Sequence, residues 1–347
     1  MSSILSLMNN SIFLKRFLSI LVVLICFSCE NTSLGIDLSV DPNQQEQQEQ
    51  QEQQEQQEQQ EQQGQQTDQE HSTVIPAMID DDSLLRSGRI WLDSLCSTAF
   101  RGRKLGTEGN RQSYEYICQL LKEMGYVPES QVTEFKKGMS LRNIIVTIPG
   151  ESDSTVVIGA HFDGAGYSDM VTHYPAANDN GSGTVTLLMF LKSLTMKPIE
   201  TDRTIICGFW DGEENYEGIT FRGSRFFTES LSDNFLKLTL FYQNIDTIGH
   251  EHDGSICVGY WGEERIHWLV DSLSNNGRFI YNVLDAPKLN SDHTPFYDCG
   301  IPFIYYQNHY GIKCDHPNHS PFDTSDEVSI ERLLKVMYNV RESILLY

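Results

Sequence analysis

Basic residues are few. The chain of 347 residues carries 25 Lys and Arg against 48 Asp and Glu, a formal net charge of −23. It has no means of neutralising a row of phosphates, so nucleic acid is excluded as a partner. Long apolar runs are missing too. Mean hydropathy is −0.36, and the only run worth considering, Phe17 to Ser28, falls short of the ~20 residues a bilayer-spanning helix needs. A polytopic membrane protein is thereby excluded. Between Gln44 and Gln66 the chain repeats Glu-Gln-Gln and contains no hydrophobic residue. It can bury nothing and offers no a/d positions for a coiled-coil seam, so it reads as a solvated tether rather than a partner-binding tract. The cysteines beyond it, at 96, 118, 207, 257, 299 and 314, form no Cys-x-x-Cys pair, which argues against a thiolate zinc site.

What is present begins at the N-terminus. Lys15 and Arg16 precede the Phe17–Ser28 run, the pattern of a signal peptide. The run closes on Cys26-Phe27-Ser28-Cys29, which resembles a bacterial lipobox, with Cys29 as the lipidated first residue of the mature chain. Ordinary cleavage with secretion is the alternative, and export follows from either. The expected organisation is a signal peptide over 1–29, a Glu/Gln-rich tether over 30–74 and one catalytic domain over 75–347. Any contact with a membrane is expected only through the lipid anchor. Residues 1–74 hold 2 basic and 11 acidic residues, which leaves −14 on the domain. In an exported protein some cysteines can pair. Cys299 and Cys314 flank one strand and its loop and form the candidate pair, whereas Cys118 and Cys207 sit in apolar stretches as buried thiols.

A hydrophobic fraction of 39%, with 17 Phe, 15 Tyr and 4 Trp, supplies a sizeable core and excludes a disordered chain. Strands are expected at Asn143–Ile148, Thr155–Ala160, Arg203–Phe209, Leu238–Tyr242 and Ile301–Tyr306. Helices are expected at Gly183–Leu194 and from about Asp326 to Tyr347. Near-continuous apolar strands alternating with helices predict a single α/β domain, its mostly parallel central sheet flanked by helices on both faces. Sites in such sheets form at the carboxyl ends of the strands.

Ligand-type groups fall in those places. His161-Phe162-Asp163 follows one strand, and Asp211-Gly212-Glu213-Glu214 and Asp246 follow two more. Asn178-Asp179-Asn180-Gly181-Ser182-Gly183 opens a helix, and His316-Pro317-Asn318-His319 with Asp323-Thr324 lies in the last loop. Singly, each has a plain structural explanation: a core histidine, a helix cap, a solvated glutamate pair, a turn aspartate, a surface histidine. Together they place carboxylates and imidazoles, without thiolates, along one sheet edge, a donor set suited to zinc or a similar divalent metal. Five ligands with one shared carboxylate, and Glu213 left over, make the inventory of a two-metal hydrolase with a general base.

With these segments the chain closely resembles the co-catalytic zinc aminopeptidases, the group of bacterial leucyl aminopeptidases and aminopeptidase Y. The likeness extends through Asn244-Ile245-Asp246-Thr247-Ile248-Gly249, Ser291-Asp292-His293-Thr294-Pro295-Phe296 and Arg101-Gly102-Arg103-Lys104-Leu105-Gly106-Thr107-Glu108-Gly109, and covers roughly residues 85–345. The resemblance implies a zinc exopeptidase-like fold and two zinc ions. One would be held by His161 and Asp246 and the other by Glu214 and His319, with Asp179 bridging. It further implies Glu213 as the general base that takes a proton from the water shared by the metals. Asp163 would orient His161 by accepting its other N–H, and the Asp179–Asn180 peptide would be cis. The substrates implied are peptides with a free N-terminus. Strand alternation is expected to separate Glu213 from Glu214.

Some readings stay open. His316 competes with His319 as ligand, the spacing to Asp323-Thr324 favouring His319. Ser291-Asp292-His293 either forms a wall of the site or starts a capped helix. Tyr305, Tyr306, Asn308 and Tyr310 are candidates for a specificity pocket, or belong to a buried strand and its loop. His173 and His250 are assigned to loops. Two other functions remain. A glutaminyl cyclase, similar at Trp210-Asp211-Gly212-Glu213-Glu214 and Asp292-His293, would hold one zinc. A binding ectodomain of the same fold would hold none.

Overall fold

The computed structural model describes residues 78–167, 172–251, 254–284, 290–308 and 318–347. They lie within a compact unit, Val74–Tyr347. Cys29, Tyr310, Cys314 and His316 lie outside the described residues, and with them the expected lipidation position, one of the pocket candidates, the second half of the candidate disulfide and the competing histidine.

The chain enters through α1 (Asp81–Leu95), a 3-10 turn at Thr98–Arg103 and α2 (Glu108–Glu123). A hairpin follows, β1 (Glu129–Lys136) and β2 (Met139–Ile148), then β3 (Thr155–His161), α3 (Ser182–Met196) and β4 (Thr204–Trp210). Next come α4 (Arg222–Glu229), α5 (Asp233–Leu238), β5 (Thr239–Ile245), β6 (Ser255–Trp261) and α6 (Glu264–Ser274). The chain finishes with β7 (Ile280–Leu284), α7 (His293–Asp298), β8 (Phe303–Gln307) and α8 (Ile330–Leu346). All eight strands form one sheet in the order β1-β2-β4-β3-β5-β8-β6-β7. Its centre, β4-β3-β5-β8, is parallel throughout. β2 joins β4 antiparallel, and β6 joins β8 antiparallel.

Side-chain alternation divides the core in two. Ile144 and Val146 of β2, Val156 and Ile158 of β3, Phe241 of β5 and Ile304 of β8 face one cluster, covered by α1, α2, α3, α6 and α8. Ile145, Val157, Tyr242 and Phe303 face the other, covered by Phe227 of α4 and Phe296 of α7. The single α/β domain with a mostly parallel sheet and helices on both faces is therefore present. Glycine pairs with glycine at Gly159 and Gly208, because the Trp210 indole lies across them; a Cβ on Gly159 would stand 2.1 Å from its Nε1. Cys118 and Cys207 are buried, and Cys299 is exposed. Among the described residues no helix is long and apolar enough to cross a membrane.

Two expected boundaries move. The strand expected at Leu238–Tyr242 is β5, which runs on to Ile245, so Asp246 follows it directly. The last helix starts at Ile330 rather than near Asp326, because Ser329 caps it by accepting the Arg332 N–H and Ser325–Glu327 forms a separate 3-10 turn.

Candidate metal centre

His161 is the final residue of β3, and Asp246 follows β5. The parallel register brings them side by side, with His161 Nε2 3.3 Å from Asp246 Oδ1. Asp179 sits in the irregular turn Ala177–Gly181 ahead of α3, and its peptide bond to Asn180 is cis, as expected. Its two oxygens face different histidines: Oδ1 lies 3.5 Å from His161 Nε2, and Oδ2 lies 3.1 Å from His319 Nε2. Glu214 Oε2 is 2.9 Å from the same His319 nitrogen. Two three-residue groups result, His161 with Glu213 and Asp246, and Asp179 with Glu214 and His319, each with ligand atoms within 4.8 Å of one another. Between and above them opens a cavity of about 320 Å³ whose walls include Phe221, Tyr305, Gln307 and Asn290.

The supports differ in part from those expected. Glu213 and Glu214 do not lie on a strand, so strand alternation does not separate them. β4 ends at Trp210, and Gly212 turns the chain at φ +71°. The Asp163 carboxylate fixes this loop by accepting the N–H groups of Glu213 (3.1 Å) and Glu214 (3.2 Å). Its Oδ1 lies 3.5 Å from His161 Nδ1, but that nitrogen makes no hydrogen bond, so the expected bond from His161 to Asp163 is not formed and Asp163 acts on the Glu213-Glu214 loop instead.

Ser291-Asp292-His293 does not cap a helix through Asp292, which makes no side-chain cap bond. Instead Ser291 Oγ donates to Asp246 Oδ2 at 2.6 Å, the Asp292 carboxylate accepts from Ser224 Oγ, and the His293 ring stacks on Tyr305. Tyr305 lines the cavity and donates to Asp246 Oδ2. Tyr306 faces the core and donates to Gln243. Asn308 donates to Asn178 Oδ1, so neither of these two forms the pocket. His173 and His250 do not line the cavity.

Sequence reasoning gave no role to Tyr242, Asn244 or Asp323. Trp210 Nε1 donates to the Tyr242 hydroxyl, Tyr242 to Asn244 Oδ1, Asn244 Nδ2 to Ser291 Oγ, and Ser291 to Asp246. Every donor in this buried row points towards the carboxylate. Asp323 accepts the N–H groups of Asn178 (2.6 Å) and Asp179 (3.1 Å). The clue to Asp323 was its place beside the His319 segment. The alternate polar residues of β5, Tyr242 and Asn244, were the clue to the row. Four non-glycine residues here take left-handed backbone, Ala176, Phe221, Thr247 and His319, with φ between 52° and 56°, the kind of strain that collects at functional sites.

The donor set fits divalent metal. Burial, then the charge of Asp179, pushes Glu214 up to about 7. Burial, with Asp246, Asp292 and Glu214 close by, holds Glu213 well above the usual carboxyl range even though His161 opposes it. Bonds to Asp179 and Glu214 push His319 up to about 11. Buried carboxyls that repel one another in this way are what a cation relieves. Glu214 Oε1 is moreover buried without a hydrogen-bond partner.

An α/β sheet with this cluster at the carboxyl ends of its parallel strands defines a metal-site hydrolase architecture. The chain belongs to peptidase family M28, whose model matches residues 143–344. A probable leucine aminopeptidase of Arthroderma otae is 33% identical over 153 residues, 42% of this chain and 40% of that protein, so the match spans less than half of the curated relative. Among solved structures, a zinc aminopeptidase from Bacillus subtilis matches with TM-score 0.65 at 15% identity, covering 75% of this chain and 94% of that one. A glutaminyl cyclase from Bacteroides thetaiotaomicron matches with TM-score 0.64 at 20% identity, covering 77% and 98%.

Proposed function

We propose that this protein is a zinc-dependent aminopeptidase that hydrolyses the N-terminal residue from peptides. The observation that carries the reading is Asp179, whose two oxygens each face a histidine of a different ligand group, the arrangement of a bridging carboxylate. His161 and Asp246 would hold one zinc, Glu214 and His319 the other, and Asp179 both. Bound zinc supplies Lewis acidity, activating water and polarising the scissile carbonyl.

The chain's own groups do the rest. Glu213, half-buried in the cavity wall and raised in pKa, takes a proton and returns it to the leaving amine. Ser291 and Tyr305 occupy Asp246 Oδ2, which leaves Oδ1 towards His161. The acidic cavity attracts a free α-amino group. Metal content per chain, measured beside hydrolysis of a panel of aminoacyl chromogenic amides, tests this. Two zinc ions with amide hydrolysis support it, and no hydrolysis of any amide overturns it.

One alternative is a single-zinc glutaminyl cyclase, since each three-residue group is a possible site by itself and a glutaminyl cyclase is among the solved structures of similar fold. One zinc with turnover only of N-terminal glutamine peptides would establish that reading instead.

The chain is further proposed to be exported and lipidated at Cys29. Support comes from Lys15 and Arg16 ahead of the apolar run and from Ser28 before the cysteine. Incorporation of labelled fatty acid, and its loss in Cys29→Ala, is the expected result.

A further inference from the structure

Arg103 is an arginine with no solvent exposure, and its guanidinium reaches four backbone carbonyls. Nε donates to Phe162 O at 2.8 Å, Nη1 to Leu95 O (2.7 Å) and Pro175 O (2.9 Å), and Nη2 to Ala176 O (2.7 Å). Phe162 lies between His161 and Asp163. Pro175 and Ala176 lead into Asp179. The carbonyl of Arg103 itself accepts from Asn110 Nδ2 (3.2 Å), which also donates to Asp211 Oδ1 (2.8 Å), just ahead of the Glu213-Glu214 loop. The pocket around the arginine is built at close backbone range: a Cβ on Gly102 would meet Gly166 O at 2.2 Å and Tyr174 O at 2.6 Å.

The segment Pro175–Asp179 is thus gripped from both sides. A cation holds its carbonyls at 175 and 176, and the Asp323 carboxylate holds its amides at 178 and 179. The Asp323 carbonyl takes the amide of Ala177 as well. Nothing in that segment is regular helix or strand, and Ala176 is left-handed, so its shape depends on these partners. Groups that orient metal ligands from behind change metal affinity by about 10–100-fold, and a planar five-donor fork reaching four carbonyls is not replaced by a lysine ammonium.

We propose that Arg103, acting with Asp323, is a positioning residue that sets the bridging carboxylate Asp179 between the two metal positions. The proposal rests on the two-metal reading above, though not on peptidase turnover. The test compares Arg103→Lys with Arg341→Lys in the full chain. Arg341 is a buried arginine that donates to Ser193 Oγ and Lys197 O, away from the site.

Zinc affinity is read by chelator competition, and ligand geometry by the visible absorption of the cobalt-loaded protein. Arg103→Lys is expected to bind at least one ion about 10–100-fold more weakly and to show an altered cobalt spectrum. Its kcat should fall with KM little changed. Arg341→Lys should differ from wild type in unfolding temperature alone. Wild-type affinity and an unchanged cobalt spectrum in Arg103→Lys overturn the proposal. If Arg103→Lys does not fold, Asp323→Asn carries the same comparison, since it places an amide donor against the amides of 178 or 179. A wild-type chain that binds two ions and hydrolyses no amide sinks the aminopeptidase reading and leaves this comparison standing. A wild-type chain that takes up no metal sinks both.

Discussion

Glu213 and Glu214 are neighbours with unlike surroundings, and the difference is testable. Glu214 lies against His319 at 2.9 Å, whereas Glu213 belongs with His161 and Asp246. Glu213→Gln should keep its metal and lose about 10²–10⁴-fold in kcat, the usual share of a positioned base, as metal analysis and steady-state kinetics on one preparation will show. Ser291→Ala removes the nearer of two donors to Asp246 Oδ2 and leaves Asn244 Nδ2 without its acceptor. A buried polar group left unmatched costs about 1–3 kcal/mol, to be read from denaturant midpoints.

His319 gives a pH dependence of definite sign. Without metal its imidazolium persists up to about 11, above the ordinary 6.5. Its contribution to the metal-free fold is therefore full below 6.5 and is lost as pH rises through about 11. Metal must displace that proton, so uptake at about pH 8 should release protons, and affinity should climb with pH. Calorimetry in buffers of different ionisation enthalpy measures both. A binding heat that ignores the buffer would refute it.

At the scale of elements, β3, β4, β8 and α3 were legible because they are apolar and buried along nearly their whole length. β1, β7 and much of the hairpin were not. β1 alternates exposed with half-buried residues, and β7 is an exposed edge, so neither carries the apolar run that identifies an inner strand. The site was legible wherever a ligand closes a strand, as His161 and Asp246 do. It was illegible where support comes from distant chain. Ser291 meets Asp246 across 45 positions, and Arg103 meets Ala176 across 73, distances that no local pattern encodes. The glycines beneath Trp210 tie the two kinds of information together. Gly159→Ala drives a Cβ into the indole that heads the row of donors ending at Asp246. Overpacking of this kind costs about 1–3 kcal/mol. The thermal midpoint should fall, and zinc affinity should fall with it. A drop in stability with unchanged affinity would show that the row does not reach the metal.

The molecule as a whole is acidic, and part of that acidity is concentrated in one cavity. Chelation should therefore lower the unfolding temperature markedly, because a ligand at ~100 times its dissociation constant adds ~2.7 kcal/mol to the folded state. Scanning calorimetry with and without zinc reads this directly. A fragment spanning Val74–Tyr347, which forms its own compact unit, should keep the metal content and midpoint of the full chain. The candidate ligands come from five separate stretches of sequence, and His319 is the last of them to leave the ribosome. A nascent chain already possesses His161, Asp179, Glu214 and Asp246 while it still lacks the group that pairs with Asp179 Oδ2 and Glu214. His319 also follows β8, the last strand of the sheet, so under the proposed reading the group of Asp179, Glu214 and His319 is complete only when every strand of the sheet has already been made.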